Sequence, residues 1–217
     1  MYIIMLGAPG TGKGTIGKIL SKDLGLKYLS TGDVFREQIR RKTEFGLEAE
    51  KYISKGLLVP DDITIQIVTD YLLENNEVKG IILDGFPRTV KQAQTLKDFL
   101  EKHNINQKIL AIELNVPDEE VIKRIVSRVI CSNKDCGQIY NLETRRPKQD
   151  GICDICGSKL TKREDDNEKT VKERLKVYHA SSKELIKFYK ENNQIYSIYP
   201  KHSEQAVEMI KKYIYNM

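Results

Sequence analysis

The segment Gly7-Ala8-Pro9-Gly10-Thr11-Gly12-Lys13-Gly14-Thr15 combines the residue types needed to hold a polyphosphate. Glycines let a backbone curl around an anion with its N–H groups inward, a helix N-terminus adds partial positive charge, and Lys13 adds a full one. The apolar run Tyr2-Ile3-Ile4-Met5-Leu6 precedes the segment, and a helical pattern from Ile16 to Leu24 follows it. Strand, glycine-rich loop and helix thus stand in the order that a phosphate cradle requires. The general P-loop places Ser or Thr directly after the lysine, whereas here Gly14 intervenes and the hydroxyl comes at Thr15.

A second chemistry is carried by the cysteines, all of which lie between positions 131 and 156. Cys131 and Cys136 are separated by four residues, Cys153 and Cys156 by two, with sixteen residues between the pairs. Two tight turns, each presenting two thiolates, match a four-cysteine zinc site. Four protein ligands leave no open position, so the expected metal is structural. Gly137 and Gly157 directly follow the second cysteine of each pair, where a turn aiming N–H groups at sulfur is expected. The first spacing is wider than the usual two residues.

Scattered cations complete the candidate chemistry. Lys13 with Arg36, Arg88, Arg124, Arg128, Arg163 and Arg174 would neutralise the repulsion between two phosphate-bearing ligands. The guanidinium fork suits this because it grips two oxygens and stays charged. Asp84 ends the apolar run Ile81-Ile82-Leu83, at the carboxyl edge of a sheet, where it would position Mg²⁺ through water. His103, His179 and His202 fall outside these motifs and read as surface or packing residues.

These residues need a scaffold. Strand-like runs at residues 2–6, 27–30, 81–83, 109–116 and 195–198 alternate with helical patterns such as 61–74, which implies βαβ units and a parallel sheet covered on both faces. Residues 31–59 instead hold two consecutive helical patterns, closed by Gly56-Leu57-Leu58-Val59-Pro60, with Asp61 or Asp62 expected to cap the next helix. Thr31 is a candidate cap for the helix after Gly32. Asp165 or Asp166 is expected to start the long helix near 168, and also to orient Arg163. Residues 127–166 are rich in turn residues.

The chain has 217 residues, enough for one core with small insertions, and 40% hydrophobic against 31% charged residues marks an ordinary globular composition. A net charge of +5, spread along the chain, suits anionic small molecules and is weak for nucleic acid. With no long apolar run and no leader-like N-terminus, the expectation is a cytoplasmic protein with no membrane or nucleic-acid partner. A monomer is expected, since no unclaimed apolar stripe stands out.

With these motifs placed, the chain resembles adenylate kinase of the long form with a zinc-binding lid, from residue 1 to about 195. The resemblance implies an α/β fold: a P-loop NTPase-type parallel five-stranded sheet with helices on both faces, an α-helical AMP-binding insertion and a small zinc-binding β-rich lid. The implied divisions are 1–29, 60–126 and 167–217 for the core, 30–59 for the insertion and 127–166 for the lid. The implied reaction is Mg·ATP + AMP ⇌ 2 ADP. Gly10, Thr11, Gly12, Lys13, Gly14 and Thr15 would bind ATP phosphates. Ser30-Thr31-Gly32-Asp33 places Thr31 near the AMP base and Arg36 on its phosphate, and Leu57, Leu58 and Val59 line the adenine pocket. Within Leu83-Asp84-Gly85-Phe86-Pro87-Arg88, Gly85 and Arg88 contact AMP, the Phe86–Pro87 bond is cis, and Gln92 reads the adenine edge. Arg124 and Arg128 meet ATP, Arg163 and Arg174 reach both phosphate groups, and Ile139 and Tyr140 flank the ATP base.

Asn141 stands where the family often has His. Tyr199-Pro200-Lys201-His202 replaces a glycine-containing loop, with Lys201 in the position that touches the ATP base. A GTP-preferring AMP kinase and, from another class, a zinc-ribbon nucleic-acid-binding ATPase are the alternatives.

Overall fold

The computed structural model describes residues 1–75, 78–105 and 108–217. Strand β1 (Tyr2–Gly7) is buried along its whole length, as an apolar run without alternation demands of a strand covered on both faces. It pairs in parallel with β3 (Ile81–Asp84) on one side and β4 (Ile109–Leu114) on the other, with Tyr2 opposite both Ile81 and Ile109. Adding β2 (Lys27–Ser30) and β8 (Ile195–Ile198) gives a parallel five-stranded sheet in the order β2-β3-β1-β4-β8.

Side chains alternate across this sheet and divide the interior in two. Tyr2, Ile4, Leu6 and Leu83 face a cluster with Val68 and Leu72 of α4 (Asp61–Glu74), Leu96 and Leu100 of α5 (Val90–Lys102), and Leu185 and Tyr189 of α7 (Glu168–Glu191). Ile3, Met5 and Ile82 face Ile16 and Leu20 of α1 (Lys13–Leu24) and Val207 and Ile210 of α8 (Ser203–Tyr215). A smaller cluster beside the loop end of β1 joins Ala8 to Val121 and Ile125 of α6 (Asp118–Val126).

Residues 31–59 carry α2 (Thr31–Arg40) and α3 (Glu44–Ile53), the two helices expected there. They pack so closely that a Cβ on Gly46 would lie 2.2 Å from the Gln38 carbonyl oxygen. The cysteine region forms a separate antiparallel sheet, β6-β5-β7, from β5 (Arg128–Cys131), β6 (Ile139–Asn141) and β7 (Leu160–Thr161).

Several element ends differ from expectation. Helix α1 begins at Lys13, inside the glycine segment, and β4 ends at Leu114, although the Asn115 N–H still donates to the Ile198 carbonyl at 2.9 Å. Ser30 rather than Thr31 caps α2, and Asn167 rather than Asp165 or Asp166 caps α7 by accepting from the Thr170 N–H. Neither Asp61 nor Asp62 caps α4, whose flanking residue is Pro60. Asp61, Asp165 and Asp166 are instead engaged by Gln92, Arg174 and Arg128, so α7 is capped by neutral Asn167 and α4 has no side-chain cap.

Leu83 is fully enclosed at the centre of the first cluster. Leu83→Ala should lower unfolding stability by about 2–5 kcal/mol through lost burial and a residual cavity, read as a shift of the urea midpoint.

Candidate active site

Four parallel strands deliver Gly7, Ser30, Asp84 and Leu114 to one edge of the sheet. The connection after β1 runs towards β2 and the one after its neighbour β3 runs the opposite way towards β4, so a crevice opens beyond the strand ends. A cleft of about 1140 Å³ occupies this position, bordered by the glycine segment, α2, the turn after β3 and the cysteine region.

The Gly7–Thr15 segment forms its floor. Gly10 and Gly12 adopt φ of 80° and 100°. A Cβ on Gly10 would also collide with Ile125 at 2.5 Å, so helix α6 enforces the glycine as firmly as the backbone does. Lys13 Nζ donates to the carbonyls of Gly7 and Ala8, both at 2.8 Å, and the Thr11 hydroxyl donates to Ala8 at 2.9 Å. Helix α1 has no acidic residue in its first turn, which leaves its positive end uncompensated. Enclosure lowers the Lys13 pKa to about 8; Asp84 opposes the shift, and Arg88 and Arg128 add to it.

The turn after β3 forms one wall. The Asp84 carboxylate accepts from the Tyr28 hydroxyl at 2.8 Å. Gly85 has φ 87°, and a Cβ there would meet the Thr31 hydroxyl oxygen at 2.6 Å. The Phe86–Pro87 bond is cis. Arg88 is then fixed twice, Nε donating to the Gly85 carbonyl at 2.9 Å and its backbone N–H to Gln92 Oε1 at 2.7 Å. Gln92, almost fully buried, donates in turn to Asp61 at 2.7 Å, and the same carboxylate accepts from Thr89 at 3.1 Å. Asp61 is therefore occupied in fixing the start of α5. Phe86 lies in the core, while its neighbours Gly85, Pro87 and Arg88 line the cleft.

The opposite wall brings arginines and carboxylates together. Arg128 forms a two-point contact with Asp166, Nε donating at 2.8 Å and Nη2 at 2.5 Å. Arg174 pairs with Asp165 and lies 3.8 Å from Asp166. Asp165 and Asp166 thus hold Arg174 and Arg128, not the expected Arg163. Arg163 instead approaches Asp33 of α2 at 3.5 Å, and Asp33 also holds Arg36 at 2.5 Å. Enclosure depresses the Arg163 pKa to about 10, with Arg36 and Arg128 adding to the shift. Arg88 shifts down for the same reasons, its cationic neighbours being Arg174 and Arg36. These mutual effects place Lys13, Arg36, Arg88, Arg128, Arg163 and Arg174 around one space.

Thr31 is buried, its hydroxyl 3.4 Å from the Asp84 carbonyl, while Gly14, Thr15, Leu57, Leu58 and Val59 border the cleft. Ile139, Tyr140, Arg124 and Lys201 border it at the far end. The Tyr140 ring is buried, and its hydroxyl accepts from the Asp154 N–H at 2.8 Å. Asn141 ties the cysteine region to α6, donating to the Arg124 carbonyl and the Ser127 hydroxyl, both at 3.0 Å. Sequence reading assigned no role to Tyr28 or Asp33, and gave Asp61 only that of a helix cap. Only Asp33 carried a signal, standing one turn before Arg36.

The four cysteine sulfurs lie within 4.8 Å of one another, with Cys131–Cys156 at 3.4 Å and Cys136–Cys153 at 3.7 Å. A tetrahedral ion with bonds of about 2.3 Å needs sulfurs about 3.8 Å apart, so the set fits one. At Cys153 burial raises the thiol pKa, but the N–H groups of Ile155 and Cys156 together with hydrogen bonds to Tyr140 and Cys136 outweigh it and lower the group to about 6. The N–H groups of Gly137 and Gly157 go instead to the carbonyls of Asn133 and Cys153. Elemental analysis should find one tightly held metal ion per chain. Its removal by a chelator should lower Tm, and a Cys153→Ser chain should no longer retain it.

Among the described residues no helix is long and apolar enough to cross a membrane. The adenylate kinase family profile matches residues 5–194. Similar curated proteins, each named adenylate kinase, include one from Caldicellulosiruptor saccharolyticus, 48% identical over 88% of this chain and 87% of that one. Another from Clostridium tetani is 44% identical over 91% and 90%, and one from Acetivibrio thermocellus is 41% identical over 100% and 97%. These matches support neither the zinc-ribbon nucleic-acid-binding ATPase nor the GTP-preferring AMP kinase. A phosphate loop facing a ring of arginines, with likeness of this extent, places the chain in the adenylate kinase family, a family of nucleoside monophosphate kinases.

Proposed function

We propose that the chain catalyses Mg·ATP + AMP ⇌ 2 ADP by direct transfer across the cationic cleft. The observation that carries this reading is the convergence of Lys13, Arg36, Arg88, Arg128, Arg163 and Arg174 on one cleft, where burial and cationic neighbours lower the proton affinity of Lys13, Arg88 and Arg163. The main obstacle to joining two polyanions is their repulsion, and such a ring removes it.

In this reading the Gly10–Thr15 amides and Lys13 hold the ATP phosphates, with Ile139, Tyr140, Arg124 and Lys201 on the donor side. Arg36 and Arg88 grip the AMP phosphate, and Thr31, Leu57, Leu58, Val59, Gly85 and Gln92 enclose its base. Arg128, Arg163 and Arg174 span the space between, where charge moves in the transition state. An AMP phosphate oxygen attacks the γ-phosphorus while the bond to the β-phosphate oxygen breaks, leaving ADP on both sides. No general base is needed, because a phosphate monoester with a second pKa of about 6 is already ionised. Mg²⁺ bound with ATP would supply further charge neutralisation, and Asp84 would be the carboxylate that meets it.

Three bodies share the work: residues 1–29, 60–126 and 167–217 as a core, 30–59 closing over AMP and 127–166 closing over ATP. Closure keeps water from the γ-phosphate. Zinc is the ion that suits four thiolates, and it would hold the lid's turns together as one unit. The protein is read as a cytoplasmic monomer without nucleic-acid or membrane partners.

The test is a nucleotide panel: protein, Mg²⁺ and labelled ATP offered AMP, GMP, UMP, CMP or no acceptor, with and without single-stranded DNA. ADP formed with AMP alone is expected, and acceptor-independent phosphate release stimulated by DNA would overturn the reading. Arg88→Ala should raise KM for AMP at least tenfold and leave KM for ATP within about twofold. A second check uses pH. Because Lys13 loses its proton near pH 8 in the free protein, kcat/KM for ATP should fall as pH rises above about 8. Bound phosphate favours the ammonium form, so kcat should hold to higher pH.

A further inference from the structure

The segment Tyr199-Pro200-Lys201-His202 joins β8 to α8 and borders the cleft through Pro200, Lys201 and His202. It contains no glycine, and Pro200 lacks a backbone N–H. One carboxylate on α6 organises it. The Tyr199 hydroxyl donates to Glu120 Oε2 at 2.7 Å. The other oxygen of Glu120 accepts from Arg124 Nη2, one helical turn further along α6. The same Nη2 donates to the Pro200 carbonyl at 3.3 Å. Glu120, Arg124, Pro200 and Tyr199 therefore close a ring that ties a helix face to the connecting segment.

We propose that Glu120 is a positioning residue for the donor nucleotide: with Tyr199 it fixes the guanidinium of Arg124 against the segment 199–202 before ATP arrives. This rests on the reading of Arg124 as a donor-side arginine. As an ion pair near the surface, Glu120–Arg124 contributes little to folding stability. Its effect falls on binding. A long, rotamer-rich side chain loses conformational freedom when a ligand orders it, and a side chain already held loses less. The Pro200 carbonyl and Glu120 share one guanidinium nitrogen, which restricts Arg124 to a single placement. Tyr199 adds the second anchor that keeps the Glu120 carboxylate from turning towards solvent. Among the described residues no hydrogen bond links the ring to Arg88 or Gln92 of the acceptor wall, so its influence should be confined to ATP.

Steady-state kinetics with ATP and AMP varied separately test this on Glu120→Gln, Tyr199→Phe, the double variant and Arg124→Ala, with Tm measured for each. Glu120→Gln keeps the shape and removes the charge; Tyr199→Phe keeps the ring and removes the donor. Each should raise KM for ATP about three- to tenfold, the range to which one hydrogen bond's net contribution converts. KM for AMP and kcat should stay within about twofold, and the double variant should be no worse than the larger single effect, as expected of partners in one network. If Arg124→Ala raises KM for ATP while both other single variants leave it unchanged, the positioning role is overturned and the donor-side reading stands. If Arg124→Ala itself leaves KM for ATP unchanged, the donor-side reading falls and the positioning role with it. Equal increases in both KM values together with a lowered Tm would mean a general structural role, and would also overturn the proposal.

Discussion

Repulsion among like charges in the cleft is the constraint on which the rest of this structure depends. Lys13 and five arginines surround one space, and burial together with their proximity lowers the proton affinity of Lys13, Arg88 and Arg163. Such an arrangement resists folding unless carboxylates offset it, yet too many carboxylates would cancel the field that draws in phosphates. The chain uses four. Asp33 serves Arg36 and Arg163, Asp165 serves Arg174, Asp166 serves Arg128 and Arg174, and Asp84 lies near Lys13 and Arg88. Four carboxylates against six cations leave a net positive ring for an incoming anion.

Burial decides how firmly these pairs are held. The Asp166 side chain is 1% exposed and Arg128 15%, so losing one partner would strand a charge in a poorly solvated place. By contrast, the contacts joining residues 31–59 to the cysteine region are more open: Arg163–Asp33 at 3.5 Å, and Lys134–Glu37 at 2.9 Å between side chains 54% and 33% exposed. Water and salt compete with such pairs. The firm pairs thus lie where geometry has to be exact, the weak ones where two parts of the molecule meet across the cleft. Lys134 stands within the widened first cysteine pair, so the two added residues accompany a side chain that reaches α2.

Much of this was legible in the chain itself. The run Tyr2–Leu6 reads as a central strand because burial on both faces demands uninterrupted apolar residues, and the structure covers it on both faces with separate clusters. The two cysteine pairs read as one four-thiol set because tight turns fix short spacings regardless of what surrounds them. Helix starts were harder. Asp61, Asp165 and Asp166 looked like caps because capping is local, but a partner elsewhere claimed each carboxylate; Asn167 caps α7 instead, and α4 has no side-chain cap.

By itself, the sequence determined the elements whose physics is short-ranged: apolar periodicity, the glycine loop between strand and helix, the thiol pairs, and the presence of enough arginines to neutralise two phosphates. Only the tertiary structure decided which charges meet. Asp166 lies 38 positions from Arg128, Gln92 lies 31 from Asp61, and Glu120 lies 79 from Tyr199. No spacing rule reaches across such distances. The antiparallel pairing of β5 with β7 brings Arg128 and Asp166 together, while the order of the parallel strands brings their carboxyl ends, and the side chains that follow them, to one edge.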